Sequence, residues 1–256
     1  MPRRLRAVGF EDRLTLVEHL DELRGRLIVC VLAITVGFGL CFWQNHLLLD
    51  LANEPLPDGR VPITFGVTEP FTTTLTLSAY GALLLAMPVI LWQIYGFVLP
   101  AFSHEERRVA LPLLLMVPFL FVGGALFAYF VVLPAAVNFL LNFNEQEFNI
   151  QIRARDYYSF FALTLISIGA LFQLPVAILA VTRLGIITPQ QLTRNRRYAI
   201  LVIAIVAMLL PGTDPITMLL MMLPLLALYE FSILLARAFG RPSEPIETDM
   251  PATEAR

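Results

Sequence analysis

Leucines recur at positions 16, 20, 23 and 27, and between them stand Glu18, His19, Asp21, Glu22, Arg24 and Arg26. That three-to-four residue spacing puts the leucines on one face of a helix and the charges on the other. From Leu27 to Trp43 the polar positions vanish and the run is apolar. Five more apolar stretches follow, at about 71–99, 109–133, 157–181, 198–210 and 216–236. A membrane-crossing helix takes about 20 such residues. The stretch 198–210 is short, but a locally thinned bilayer accommodates a short hairpin. It therefore pairs with 216–236 across the turn PGTDP. The pattern predicts an all-α polytopic membrane protein of six transmembrane helices.

Helix punctuation sharpens the picture. Thr15 with Glu18, Ser103 with Glu106, and Thr188 with Gln191 read as capping boxes, the last with Pro189 at the first helical position. Pro88, Pro112, Pro118, Pro175 and Pro224 fall inside apolar stretches, where each removes a backbone hydrogen bond. Bent helices and a kinked, concave bundle are expected from them. Between the first two spans, 45–70 contains Pro55, Pro57, Gly59 and Pro62 and reads as irregular. The connection 138–156 is polar, and the tail from Pro242 is expected to be disordered. The domain reading is a cytoplasmic segment 1–26 with an amphipathic helix, a membrane domain 27–236, and a cytoplasmic tail 237–256.

Composition agrees. Hydrophobic residues make up 57% of the 256 and charged ones 15%, with a mean hydropathy of +0.73. These values belong to the membrane class. All 18 basic residues are arginine, and 15 of them fall on the side that holds the N-terminus, the second-to-third and fourth-to-fifth connections and the tail. Only Arg60, Arg153 and Arg155 fall on the other side. Positive charge marks the cytoplasmic side, so both termini are expected there, which requires an even number of spans. No small-residue cleavage site follows the first apolar run, which is expected to stay as an anchor. Cys30 and Cys41 lie roughly 16 Å apart on one helix, beyond disulfide reach.

Candidate chemistry is sparse. The three histidines, His19, His46 and His104, fall in or near loops. No serine sits in a glycine-flanked elbow, no cluster has metal-ligand spacing, and there is no P-loop. An enzyme, a metal, a cofactor or a nucleic-acid partner is not expected. Gln173 sits deep in the fourth span before Pro175, where it either meets carbonyls freed by the proline or bonds a neighbouring helix. Glu230 lies near the inner end of the sixth span, and Asp214 belongs to the PGTDP turn. Glu22 and Glu106 both face the cytoplasm. Their plain readings are an i,i+4 pair with Arg26 and a helix cap. The sharper reading makes them one acidic site for a basic partner. Carboxylates accept a guanidinium bidentately, so arginine is the natural ligand.

Several stretches resemble one family. They are HLDELRGRL, TEPF at Thr68 to Phe71, PVILWQIYGFVLPAFSHEERR at Pro88 to Arg108, GGALFAYFVVLP at Gly123 to Pro134, FQLPVAI at Phe172 to Ile178, and GIITPQQLTRNRRYAI at Gly185 to Ile200. In this order they resemble TatC, the multi-spanning receptor subunit of the twin-arginine protein translocase. The resemblance implies a signal-peptide receptor that exports folded proteins using the proton-motive force. It implies that Glu22 and Glu106 contact the signal's two arginines, with Arg24, Phe97 and Pro100 around the same site. It implies small single-span Tat subunits as partners, met at Gln173, Met208 and Leu209, and self-association in the complex. Gln173 stands where the family often has glutamate; it keeps the hydrogen-bonding capacity without the titrating proton. Asp214 is retained in a turn that departs from the usual pattern, and Pro55 and Glu230 are further positions of structural or functional interest. The competing reading is a secondary transporter for a small solute. That would want repeat symmetry and a charged or unwound site at midplane, and neither is visible.

Overall fold

The computed structural model describes residues 16–57, 60–98, 104–183, 185–211 and 215–239, and no side chain before residue 20 or between 98 and 114. Thr15, Ser103, Pro100, Asp214 and the tail lie outside the described residues. Two compact units divide the chain, Met1–Ala170 and Leu171–Arg256. The first contains α1 (Leu16–Trp43), α2 (Asn45–Asn53), α3 (Glu69–Val98), α4 (His104–Phe127), a π-helical turn (Ala128–Val132), α5 (Leu133–Asn142) and α6 (Ala154–Leu171). The second contains α7 (Leu174–Arg183), α8 (Pro189–Arg194), α9 (Arg196–Leu209) and α10 (Pro215–Phe239). Among the described residues the one β-contact is a single bridge between Ile63 and Arg153.

Helix α1 is unbroken, so the charged opening turns and the apolar run share one axis. Its main neighbour in the first unit is α3. A Cβ on Gly37 would lie 3.1 Å from the Ala82 carbonyl oxygen, and one on Gly81 would lie 3.1 Å from Cys41 Sγ. Small residues at such a seam let helix backbones approach, and the resulting close packing holds helices together where lipid is as apolar as the core. The remaining face of α1 carries exposed Val31, Leu32, Val36 and Leu40, suited to hydrocarbon. Cys30 and Cys41 are free thiols.

Five helical stretches are long and apolar enough to cross a membrane: Leu20–Trp43, Glu69–Phe97, Leu115–Asn142, Ala154–Arg183 and Pro215–Ala238. Helix α9, with 14 residues, spans about 21 Å, short of the roughly 30 Å hydrocarbon layer.

Proline acts in three ways. Pro88 and Pro224 sit inside continuous helices. Before Pro175 there is a break, with α6 ending at Leu171 and α7 starting at Leu174. A proline ring clashes with the carbonyl four residues back, which here is that of Leu171. Ahead of Pro134 the helix widens, and Leu133 N–H donates to the Ala128 carbonyl, five residues back. The structure departs from the irregular reading of 45–70 in its first part. Asn45–Asn53 is helix α2, because NHLLLDLAN holds no proline or glycine and fully buries Ala52. Likewise, helix continues beyond Leu133 to Asn142.

In the second unit α9 and α10 run antiparallel. Arg196, at the start of α9, donates to Glu230, late in α10, at 2.7 Å. Ile203, Ala207, Leu225, Tyr229 and Ile233 form the core. The Tyr229 hydroxyl donates to the Leu192 carbonyl at 2.9 Å, tying α8 to α10. The capping box at Thr188 forms in both directions: Gln191 N–H donates to Thr188 Oγ1 at 3.3 Å, and Thr188 N–H donates to Gln191 Oε1 at 3.0 Å. Past α7 the chain turns at Gly185, whose φ of 71° is open to glycine at no steric cost.

Candidate functional site

The polar turns of α1 meet the C-terminal turns of α3. Arg26 Nε and Nη2 donate to Glu22 Oε1 at 3.2 and 2.5 Å, and Arg26 Nη1 donates across to the Gln93 carbonyl at 3.2 Å. The Glu22 and Arg26 side chains are 28% and 23% exposed, so the pair is half-buried. A Cβ on Gly96 would lie 2.5 Å from Arg26 Nη1, so glycine leaves the room the guanidinium occupies. Arg24 is exposed on the same helix and Phe97 is half-buried one residue before the end of α3.

Helix α4 packs on α3 and begins six residues after it ends. Its first turn, which includes Glu106, therefore lies at the same end of the unit as Glu22. The Glu106 side chain and Pro100 lie outside the described residues. A helix N-terminus carries partial positive charge, which favours a carboxylate there. Three helix ends thus lie at one end of the unit: the start of α1, the end of α3 and the start of α4.

The second unit holds the other sequence-predicted residues. Gln173 is buried just before α7, and its carbonyl accepts from Ala177 N–H at 2.9 Å. Met208 and Leu209 end α9 with 59% and 81% exposure, so they present an uncovered apolar tip. Glu230 is half-exposed in its pair with Arg196. In the first unit, Pro55 follows α2 and is half-buried.

Sequence reasoning missed a cluster at the opposite end of the first unit. Glu69 is buried, and its Oε1 accepts from Arg153 Nε at 2.7 Å. Its Oε2 accepts from the Phe65 and Gly66 backbone N–H groups at 2.8 and 3.2 Å. Arg153 also sits 5.8 Å over the Phe65 ring. The hydrogen bond that Arg153 donates to Glu69 raises the Arg153 pKa above its ordinary value and keeps the guanidinium charged. Backbone bonds from Ile63 N–H to Ile152 O (2.8 Å) and from Ala154 N–H to Ile63 O (2.9 Å) stitch the two connecting loops together. Tyr129 and Tyr157 donate to the Leu51 and Ala52 carbonyls at the end of α2, at 3.1 and 2.5 Å. Those carbonyls have no partner within their helix. The signals were present, since TEPF carries Glu69 and Arg153 is one of three arginines on its side of the chain. Their pairing across 84 residues was not readable. Arg153→Ala is expected to speed amide hydrogen exchange at Ile63, Phe65 and Ala154. Unchanged rates would show that the ion pair does not hold the loops.

Comparison with known proteins identifies relatives along nearly the whole chain. The family described as Sec-independent protein translocase protein (TatC) matches residues 18–224. The protein of that name from Carboxydothermus hydrogenoformans is 39% identical over 237 residues, covering 91% of this chain and 97% of its own. The one from Escherichia coli K12 is 36% identical, covering 91% of this chain and 92% of its own. Among solved structures, a crystal structure of the twin arginine translocase receptor TatC in DDM superposes with a TM-score of 0.76 at 36% identity, over 88% of this chain and 100% of that one.

Proposed function

This chain belongs to the TatC family of Sec-independent translocase proteins, and on that premise we propose that it is the receptor for twin-arginine signal peptides. Family membership makes it a multi-pass component of the translocase in the cell membrane, and a transport protein rather than an enzyme or a small-solute carrier. The receptor role rests on one observation above the others: Glu22 already takes a guanidinium through two N–H donors in a half-buried setting. A carboxylate held this way is equipped for a signal arginine.

In this mechanism the signal's two arginines pair with Glu22 and Glu106. Arg24, Phe97 and Pro100 frame the contact. The signal's apolar part then lies along the bundle. Small single-span Tat subunits dock beside Gln173 and the exposed tip at Met208 and Leu209, and further copies of the chain join the complex. The proton-motive force drives export of the folded cargo.

The topology is part of the reading: six spans, α9 being the short fifth, with both termini cytoplasmic. The arginine distribution and the antiparallel α9–α10 pair support it. A reporter active only outside the cytoplasm, fused after Phe239, is expected to be silent. A bright reporter there would require an odd number of spans.

Crosslinking a twin-arginine peptide to the full chain tests the receptor reading. Capture is expected at residues of α1 and α4. Capture that is equal for a peptide with both arginines replaced by glutamine would sink it.

A further inference from the structure

Resting on that receptor reading, we propose that Arg26 is a resident ligand of Glu22 and sets the affinity threshold that a signal arginine must exceed. An i,i+4 pair on an exposed helix is weak and fluctuating. This one is anchored from a second helix. The guanidinium donates Nε and Nη2 to Glu22 and Nη1 to the Gln93 carbonyl of α3. That carbonyl lies near the C-terminal, negative end of α3, which favours a cation. Gly96 leaves the volume that Nη1 fills, since a Cβ there would lie 2.5 Å away. Three donors of one planar fork are thus placed on two helices, an arrangement that a lysine ammonium would not reproduce.

The free receptor therefore carries its own arginine on the carboxylate assigned to the signal. An incoming arginine has to displace it. When the binding-competent form is a fraction of the total, the apparent dissociation constant is the intrinsic one divided by that fraction. Such a competitor weakens every signal by one common factor and leaves their ratio unchanged. It acts as a cut-off: a strong twin-arginine signal still binds, and a lysine-containing one falls below the working range. Discrimination between signals then comes from the contact, and the threshold sets which of them bind at working concentration.

The test uses the full chain in its assembled complex, with two fluorescent signal peptides, one with the arginine pair and one with lysine in place of one arginine. Arg26→Gln is expected to tighten both by the same factor, about fivefold if four in five receptors are closed. Gly96→Ala keeps the charge and displaces only the guanidinium tip, so it is expected to tighten both in the same direction. Weaker or unchanged binding in Arg26→Gln overturns the proposal. So does tightening in Arg26→Gln without any in Gly96→Ala, because the effect is then bulk charge. If Arg26→Gln does not assemble, Gly96→Ala decides alone. Glu22→Gln separates the two levels. If it leaves binding intact, the receptor reading itself fails. If it abolishes binding while the Arg26 and Gly96 variants tighten nothing, only the resident-ligand inference fails.

Discussion

Glu22→Ala and Glu106→Ala are each expected to weaken twin-arginine peptide binding roughly ten- to a hundredfold, since a hydrogen bond to a charged group contributes about 1.5–3 kcal/mol. The two losses need not be equal. Glu22 is partly occupied by Arg26, so some of its interaction energy is already spent in the free chain. Glu106 sits in the first turn of α4, and a positive helix end favours a carboxylate. The double variant is expected to approach additivity if each carboxylate holds one arginine. Charge reversal at Glu22 to arginine should restore capture of a peptide whose first arginine is replaced by glutamate. If both single variants bind as tightly as wild type, the acidic site is not where the signal is read.

Gly169→Leu carries the largest expected effect on stability, a loss of about 1–3 kcal/mol from overpacking. A Cβ at Gly169 would meet three carbons of the Phe121 ring at 2.7 to 3.1 Å, and Phe121 is 2% exposed. The ring has nowhere to go without moving α4 or α6. Surrounding lipid is apolar, so little hydrophobic driving force holds these helices together, and close contact between them matters more. Thermal unfolding in detergent should show a lowered midpoint for Gly169→Leu. Adding Phe121→Ala should recover part of it by vacating the space. An unchanged midpoint in the single variant would mean the helices separate at no cost.

The residues differ in how legible they were. Gln191 three positions after Thr188 gave the capping box, because a cap is a contact between residues a single turn apart. The pairing of Glu22 with Arg26 was readable for the same reason. Helix α2 was obscured by the prolines that follow it, although its own nine residues are helix-compatible. The break at Phe172 and Gln173 was announced by Pro175, yet a proline alone does not say kink or break. Pro88 and Pro224 sit in continuous helices, and only neighbouring packing makes the difference.

By itself the sequence determined the long apolar helices, the family, the expected sidedness and the identity of the polar residues near the helix ends. These follow from local periodicity, hydropathy and charge counts, which need no knowledge of distant contacts. Tertiary structure alone decided that Arg26 reaches Gln93 across 67 residues, that Gly96 makes room for it, and that Arg153 closes on Glu69 across 84. A hydrogen bond depends on a few tenths of an ångström and on direction. Sequence spacing carries that information within one helix and loses it between two.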